Sequence, residues 1–434
     1  MDEVTQSRDV HATRTDDSQP RQLVDHFFRH EYAQLVATLT RRFGVRHWEL
    51  VEDVVQSALQ RALSSWSLKG IPENPSGWLH RVAVNGAIDR LRRDTRWGSL
   101  ADEHGQQEAK VTEELSFQDD LIRMVFVCCD PCVPPESQIA LALKTLCGFG
   151  NHEIARALLT TEASVAKRIT RAKQRLRDES IEPARLSERE ISERLPHVQA
   201  VIYLLFNEGY SSTIADKFIR EELCEEAVRL AIVLAEHDLT KGGSSAALMA
   251  LLLFHSARLD ARIDEHGTIL LLKEQDRSEW DTRLLQEAFG WFGEANQSDE
   301  VTRYHAEAWI ASEHCRVSDF NDTDWKRIAQ GYDLLCRIDG SPVHQLNRAI
   351  AIGYRDGPEA GMAAFSAIDS SALSKDYYLW HATHADLAKQ LGDETAARRS
   401  LHQAWQLAPT RAEKELISRK LDQLPDGPNP DQQE

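Results

Sequence analysis

Residues 151–177 read NHEIARALLTTEASVAKRITRAKQRLR, and their spacing predicts two short helices around a tight turn. The first covers 151–158, with Asn151 placed to cap it and Ile154, Ala155 and Leu158 on one apolar stripe. Leu159, Thr160 and Thr161 make the turn. The second helix begins near Glu162 and sets Val165, Ile169, Ala172 and Leu176 on its buried side. Its other faces carry Ser164, Lys167, Arg168, Arg171, Lys173, Arg175 and Arg177, with no acid between Ala163 and Arg177. A short apolar helix, a turn and a one-sided basic helix is the layout of a helix-turn-helix. Basic amphipathic helices also serve as plain solvated surface, so alone the motif makes the chain only a candidate DNA binder.

Working outward, the charge is unevenly placed. The net charge is −18, yet residues 21–97 carry +4 and residues 118–177 carry +3. The stretches 1–20, 98–117 and 178–434 carry −3, −4 and −18. Phosphate contacts need local positive charge, so an acidic total does not exclude DNA. Period-two alternation is scarce, while Ala, Leu, Arg, Glu and Gln recur at helical spacing, which predicts an all-α chain. The longest apolar run, 246–254, is far short of the ~20 residues that span a bilayer. With a polar N-terminus unlike a signal peptide, the expectation is a soluble, cytoplasmic protein without a membrane partner.

Seven cysteines, an odd number without regular spacing, read as reduced thiols. Cys128, Cys132, Cys147 and His152 lack paired zinc-ligand spacing and read better as small apolar residues of a helical core. No metal and no cofactor are expected.

The organisation that follows is two small helical modules and a large helical, repeat-like C-terminal region. Residues 1–20 form a disordered tail, 21–97 a first helical module, 98–117 an acidic linker and 118–177 a second module ending in the helix-turn-helix. A second linker covers 178–190, a helical extension 191–300, helical repeats 301–424 and a disordered end 425–434. In the first module, helices are predicted over 23–43, 49–66 and 76–93, the last with Trp78, Val82, Ala83 and Ile88 facing in. Asn85, Asp89, Arg92 and Arg93 share its outward side, a set able to meet phosphates and base edges. In the second module a helix over 135–147 is closed by Gly148 and Gly150. Two polar segments, 207–212 and 273–281, interrupt the helices of the extension. Ala349, Gly357 and Ala360 are echoed by Ala385, Gly392 and Ala396 at an offset of 35–36 residues, close to the ~34 of tetratricopeptide repeats.

Two basic modules joined by an acidic linker resemble regions two and four of a bacterial extracytoplasmic-function (ECF) sigma factor of RNA polymerase. ELVEDVVQSALQRALSSW (49–66) resembles the helix that docks on the polymerase clamp, and WLHRVAVNGAIDRLRR (78–93) the helix that reads and opens the −10 element. The helix-turn-helix resembles the reader of the −35 element. The extension is similar to that of a subgroup carrying an NEGY segment and a DQDRSxWD segment before tetratricopeptide-like repeats. Here these are Asn207-Glu208-Gly209-Tyr210 and Asp276-Arg277-Ser278-Glu279-Trp280-Asp281, preceded by Gln275. The subgroup commonly has His after its double Cys, where this chain has Asp130 after Cys128 and Cys129.

The resemblance implies a specificity subunit that makes and breaks no bond itself. Its partners are RNA polymerase core and promoter DNA, with an intramolecular or protein partner for the extension. It places Asp53 and Gln56 at the polymerase, and Asn85, Asp89, Arg92 and Arg93 at the −10 strand. Ser164, Lys167, Arg168, Arg171 and Arg175 fall at the −35 major groove. The extension reads as a built-in regulator that masks the readers or receives a partner, its −18 charge suiting competition with DNA for the basic modules, or as a helical scaffold with an ordinary acidic surface; charge alone does not separate these. The alternative is a one-component helix-turn-helix regulator with a repeat-based sensor, which has no need of residues 49–93. An enzymatic reading would use Glu208, Asp276 and Asp281, but no nucleophile or phosphate loop accompanies them. The two motifs fit a structural polar network better, with Arg277 paired to an acid and Trp280 packed.

Overall fold

The computed structural model describes residues 18–93, 113–158, 160–210, 218–264, 269–369 and 377–424. Among these residues every regular element is helical, and the one extended pairing is a bridge between Ile263 and Ile269. The chain divides into two compact units, each discontinuous in sequence.

The first unit begins with α1 (Ser18–Phe43), α2 (Trp48–Lys69) and α3 (Pro75–Arg93). Leu35, Val36 and Leu39 of α1 meet Val51, Val55 and Ala58 of α2 and Leu79, Ala83 and Ala87 of α3 in one buried cluster. Each large aliphatic side chain so withdrawn from water contributes about 1.5–3 kcal/mol. Burial, more than propensity, therefore holds the three helices together. Gly70 ends α2 at φ +81, a value that side chains with a Cβ resist. Asn74 then accepts the Gly77 N–H at 2.7 Å, and Pro75 opens α3. The buried stripe of α3 is Leu79, Ala83, Ala87 and Leu91. The inward set read from sequence is therefore rotated: Trp78, Val82 and Ile88 are only half-buried, and Trp78 packs edge-on against Trp66 at 5.7 Å.

Along α1 lies α4 (Glu113–Cys128), tied to it by an ion pair between Arg41 and the buried Asp120. The unit also takes the second halves of α5 (Pro135–Leu146) and α7 (Glu162–Asp178). The expected tail is shortened, since α1 starts at Ser18, and 1–17 lie outside the described residues. Of the expected linker, 98–112 lie outside them and α4 already begins at Glu113. The expected disordered end, 425–434, also lies outside them.

The second unit contains residues 129–139, 151–169 and 186–434. Its centre is α10 (Gly243–Ser256), in which residues 245–254 are all buried. That is the behaviour of a helix apolar on every side, and it gives the 246–254 run a core role. Around it pack α8 (Glu188–Tyr210), α9 (Phe218–Glu236), α11 (Thr282–Ala295) and α12 (Arg303–Cys315). The segment Asn207-Glu208-Gly209-Tyr210 does not interrupt a helix; it is the last turn of α8.

Then follow α13 (Trp325–Ile338), α14 (Pro342–Asp356), α15 (Pro358–Ser366), α16 (Tyr378–Gln390), α17 (Glu394–Leu407) and α18 (Arg411–Asp422). Helices α14 and α15 pack as one pair, α16 and α17 as another. The echoed glycines sit at the two turns, Gly357 at φ +101 and Gly392 at φ +77, and the echoed Ala349 and Ala385 are both buried. Within the first pair the backbones touch, because a Cβ on Gly361 would lie 2.8 Å from the Gly353 Cα.

Candidate nucleic-acid interface

The helix-turn-helix is α6 (Asn151–Ala157), a turn, and α7. Asn151 is the first residue of α6 and its Oδ1 has no hydrogen-bond partner, so the expected cap is not formed. The cap that does form is on α7, where the Thr161 hydroxyl accepts the Ser164 N–H at 3.2 Å. His152 Nδ1 and Glu162 Oε1, 2.9 Å apart, bridge the two helices across the turn, in which Leu159 lies outside the described residues. Ile154, Ala155, Val165, Ile169, Ala172 and Leu176 are buried as their spacing requires.

The basic residues of α7 fall into two groups. Lys167, Arg171 and Arg175 are exposed and four residues apart, with the half-buried Ser164 on the same stripe. Arg168, Lys173 and Arg177 are less exposed and meet carboxylates. Arg168 pairs with Glu136 of α5 at 2.9 Å. Lys173, expected on an open face, is 5 % exposed. It pairs with Glu52 of α2 at 2.7 Å and lies 5.3 Å from the centre of the Trp48 ring. Arg177 donates to both oxygens of Glu49 at 2.8 and 3.0 Å. Burial alone would raise the Glu49 pKa, but the bonds and charge of Arg177 outweigh it and hold the carboxyl below its ordinary range.

On α3, Asn85, Asp89, Arg92 and Arg93 are all exposed, and Arg93 Nε donates to the Asp89 carbonyl at 3.2 Å. Asp53 and Gln56 are exposed on α2. Asp53 accepts from Arg90 of α3 at 2.8 Å, an exposed pair that links the two helices.

Asp130 occupies the position where the resemblance expects His. It is 3 % exposed, accepts the Cys132 N–H at 2.9 Å and pairs with Arg194 of α8. Beside it Gln138 Nε2 donates to the Asp130 carbonyl at 2.8 Å and lies 3.0 Å from His197 Nε2. Helix α6 packs on α9. The start of α5 and the first helix of the motif are thus seated on the extension, through contacts that alternation and charge counts do not reveal.

The two extension motifs meet at a residue the sequence reading missed, Arg258. Its Nη2 donates to the Tyr210 hydroxyl at 2.6 Å, and its guanidinium lies 5.6 Å from the Trp280 ring. Arg262, one turn on, donates to the Tyr210 carbonyl and covers its ring at 3.7 Å. The only sequence signal was the four-residue spacing of the two arginines beside a buried apolar helix. Among the described residues Arg277 makes no ion pair with an acid. It donates to the carbonyls of His314 and Val317 at 2.6 and 2.8 Å and faces the buried Trp280. Asp276 accepts the Ser278 N–H, and Asp281 caps α11 by accepting from Arg283 and Leu284. Asn207 is half-buried, Gly209 is buried and Glu208 is exposed. Asp276 and Asp281 are thereby occupied as caps rather than poised for acid–base work.

Comparison with known proteins accounts for both modules. Residues 28–97 match the sigma-70 region 2 model, and residues 131–176 the sigma-70 region 4 model. The chain is 30% identical over 162 residues to the ECF RNA polymerase sigma factor SigM of Mycobacterium tuberculosis, covering 76% of that protein and 36% of this one. The chain belongs to the RNA polymerase sigma factors. Residues 194–296 match a family of unknown function, DUF6596. An uncharacterized protein of Rhizobium meliloti is 36% identical over 404 residues, 93% of its own length and 90% of this chain, so the likeness extends well past region 4. No solved structure matches. Among the described residues of this sigma factor no group of His, Cys, Asp and Glu is arranged to hold a metal ion, and no helix is long and apolar enough to cross a membrane.

Proposed function

We propose that this sigma factor binds RNA polymerase core and directs it to promoters through two readers, with the extension regulating that activity. The observation that carries the reading is the exposed stripe of Lys167, Arg171 and Arg175, with Ser164, on the second helix of a helix-turn-helix. A helix so placed meets major-groove bases and flanking phosphates. In this assignment Ser164, Lys167, Arg168, Arg171 and Arg175 face the −35 element, Arg168 leaving Glu136 to do so. Asn85, Asp89, Arg92 and Arg93 face the −10 strand, and Asp53 and Gln56 face the polymerase. The helix pairs from 342 onward are read as tetratricopeptide-like, supported by the matched turn glycines Gly357 and Gly392.

The contacts favour regulation through the seating of the second module on the extension beside competition by its acidic surface. Arg168, Lys173 and Arg177 are met by Glu136, Glu52 and Glu49, all within the two sigma modules. What ties the second module to the extension is the Asp130–Arg194 and Gln138–His197 contacts and the packing of α6 on α9.

The test is co-purification with core polymerase followed by run-off transcription, with Lys167→Ala/Arg171→Ala as the promoter variant. Core binding retained and transcript lost is the expected result. A chain that fails to bind core sinks the sigma reading and favours a one-component regulator.

A further inference from the structure

The extension encloses a cleft of about 700 Å³ between the 271–274 segment and helices α13, α14, α16 and α18. That volume is in the range of small-molecule sites, which run to about 300–1,000 Å³. Its lining combines two features that neither the sigma modules nor core packing explains.

The first is an aromatic wall. Trp325 and Tyr354 stack at 4.1 Å with their planes 12° apart, and Phe320 meets both edge-on at 5.4 and 5.6 Å. Tyr354 is nonetheless 42% exposed, so a large ring is left facing the opening.

The second is positive charge. Lys273, Lys389, Arg419 and Lys420 line the cleft against two carboxylates, Glu274 and Asp386. Both carboxylates are engaged: Asp386 holds Lys420 at 2.6 Å, and Glu274 accepts the Leu271 N–H at 2.7 Å. Arg419 donates one Nη to the Ile269 carbonyl, while its buried Nε has no partner. His314, also in the lining, has a buried Nδ1 without a partner. Burial, with the charges of Arg258 and Arg277, holds its pKa down at about 3, so it is neutral and sits in a positive field. A cationic pocket with a buried, unpartnered Arg419 Nε–H, in a stretch of chain that carries a net −18, selects for an anion.

We propose that this cleft binds a small organic anion bearing a flat ring, the ring against Tyr354 and Trp325 and the anionic group toward Arg419 and Lys389. The extension is then a ligand-binding domain as well as a scaffold. The site stands whether or not the promoter reading does, because binding is measured without polymerase or DNA.

The probe is anilinonaphthalene sulfonate, a flat aromatic anion that fluoresces when shielded from water, titrated into the full-length chain. Its uncharged relative, phenylnaphthylamine, is titrated in parallel. The expected result is saturable one-site binding of the sulfonate, with the neutral amine weaker by about tenfold or more. Lys389→Gln and Arg419→Gln are each expected to weaken the sulfonate about tenfold, and Tyr354→Ala severalfold. Lys389 and Tyr354 are exposed, so those two variants keep the fold even where Arg419→Gln does not. Equal binding of the neutral amine, unchanged affinity in both exposed-site variants, or no saturable binding overturns the proposal.

Discussion

Asp130 and Arg194 form an ion pair in which the carboxylate is 3 % exposed, and it joins the entry to α5 with the first helix of the extension. Burying a carboxylate is costly unless a cation and hydrogen-bond donors meet it. Here they are Arg194 and the Cys132 N–H. Asp130→Asn is therefore expected to cost about 3 kcal/mol, the order observed when one member of a buried pair is removed. Thermal or urea unfolding of the full chain reads the loss. Replacing both partners, Asp130→Leu with Arg194→Met, is expected to recover a substantial part of it. A single variant as stable as the parent contradicts the pairing.

Lys167 and Lys173 lie on one helix and are expected to behave oppositely. Lys167 is exposed on the stripe assigned to DNA, so Lys167→Ala should leave stability within about 0.5 kcal/mol. It should weaken promoter binding and lower the salt slope by about one. Lys173 is buried on Glu52, whose second oxygen has no other partner. Lys173→Met should cost on the order of 3 kcal/mol of stability. Urea midpoints together with filter binding at several salt concentrations separate the two. If Lys173→Met loses DNA binding at unchanged stability, the assignment of faces is wrong.

Glu49 gives a pH signature. Its folded-state pKa is lowered by Arg177, so the Arg177–Glu49 bond contributes stability that is present above the unfolded value, near 4.5, and lost as pH falls through the lower folded value. Glu31 and Asp120 run the other way, since burial raises both. The difference between the parent and Glu49→Gln isolates the first effect. Melting temperatures measured from pH 6 down to pH 3 should show the variant less stable at the upper end, with the gap closing below about pH 4. A gap that widens toward acid would mean that Arg177 does not hold Glu49.

The helical class, the two basic modules and the core face of α7 were legible because period and charge are local properties of the sequence. Val165, Ile169, Ala172 and Leu176 follow from spacing alone. Lys173 was not legible, because its burial is decided by Glu52, more than a hundred residues earlier in the chain. The same holds for Arg258, which only the folded extension brings between Tyr210 and Trp280. Arg277 was recognised as important but given the wrong partner. A guanidinium donates as readily to carbonyls at and just past the end of α12 as to an acid, and a sequence pattern does not mark carbonyls.

Two glycines predict opposite outcomes for the same substitution. A Cβ on Gly361 of α15 would lie 2.8 Å from the Gly353 Cα and 2.9 Å from Leu387 Cδ2, and backbone does not yield. Gly361→Ala should cost about 1–3 kcal/mol by forcing α14 and α15 apart. Gly290 of α11 has nothing within 4 Å of an added Cβ and lies inside a helix. Gly290→Ala should stabilise by about 0.4–1 kcal/mol through the unfolded chain. Chemical denaturation of both variants, with unchanged m-values, is the measurement. A neutral Gly361→Ala would mean that the two helices do not approach as closely as described.

Ending the chain after residue 190 removes Arg194, His197 and α9 together. Asp130 then loses its cation, Gln138 loses the imidazole beside it, and α6 loses the helix it packs on. The second module is therefore expected to loosen, with trypsin cutting faster at Arg156 and Lys167 than in the full chain. The first module keeps its own core of α1, α2 and α3, so core polymerase binding is expected to survive while run-off transcript falls severalfold. Proteolysis and transcription measured on the same preparations distinguish a loosened reader from a released one. If the shortened chain resists trypsin as the full chain does and transcribes equally, the extension neither supports nor regulates the second module, and the Asp130–Arg194 pair is only a local contact.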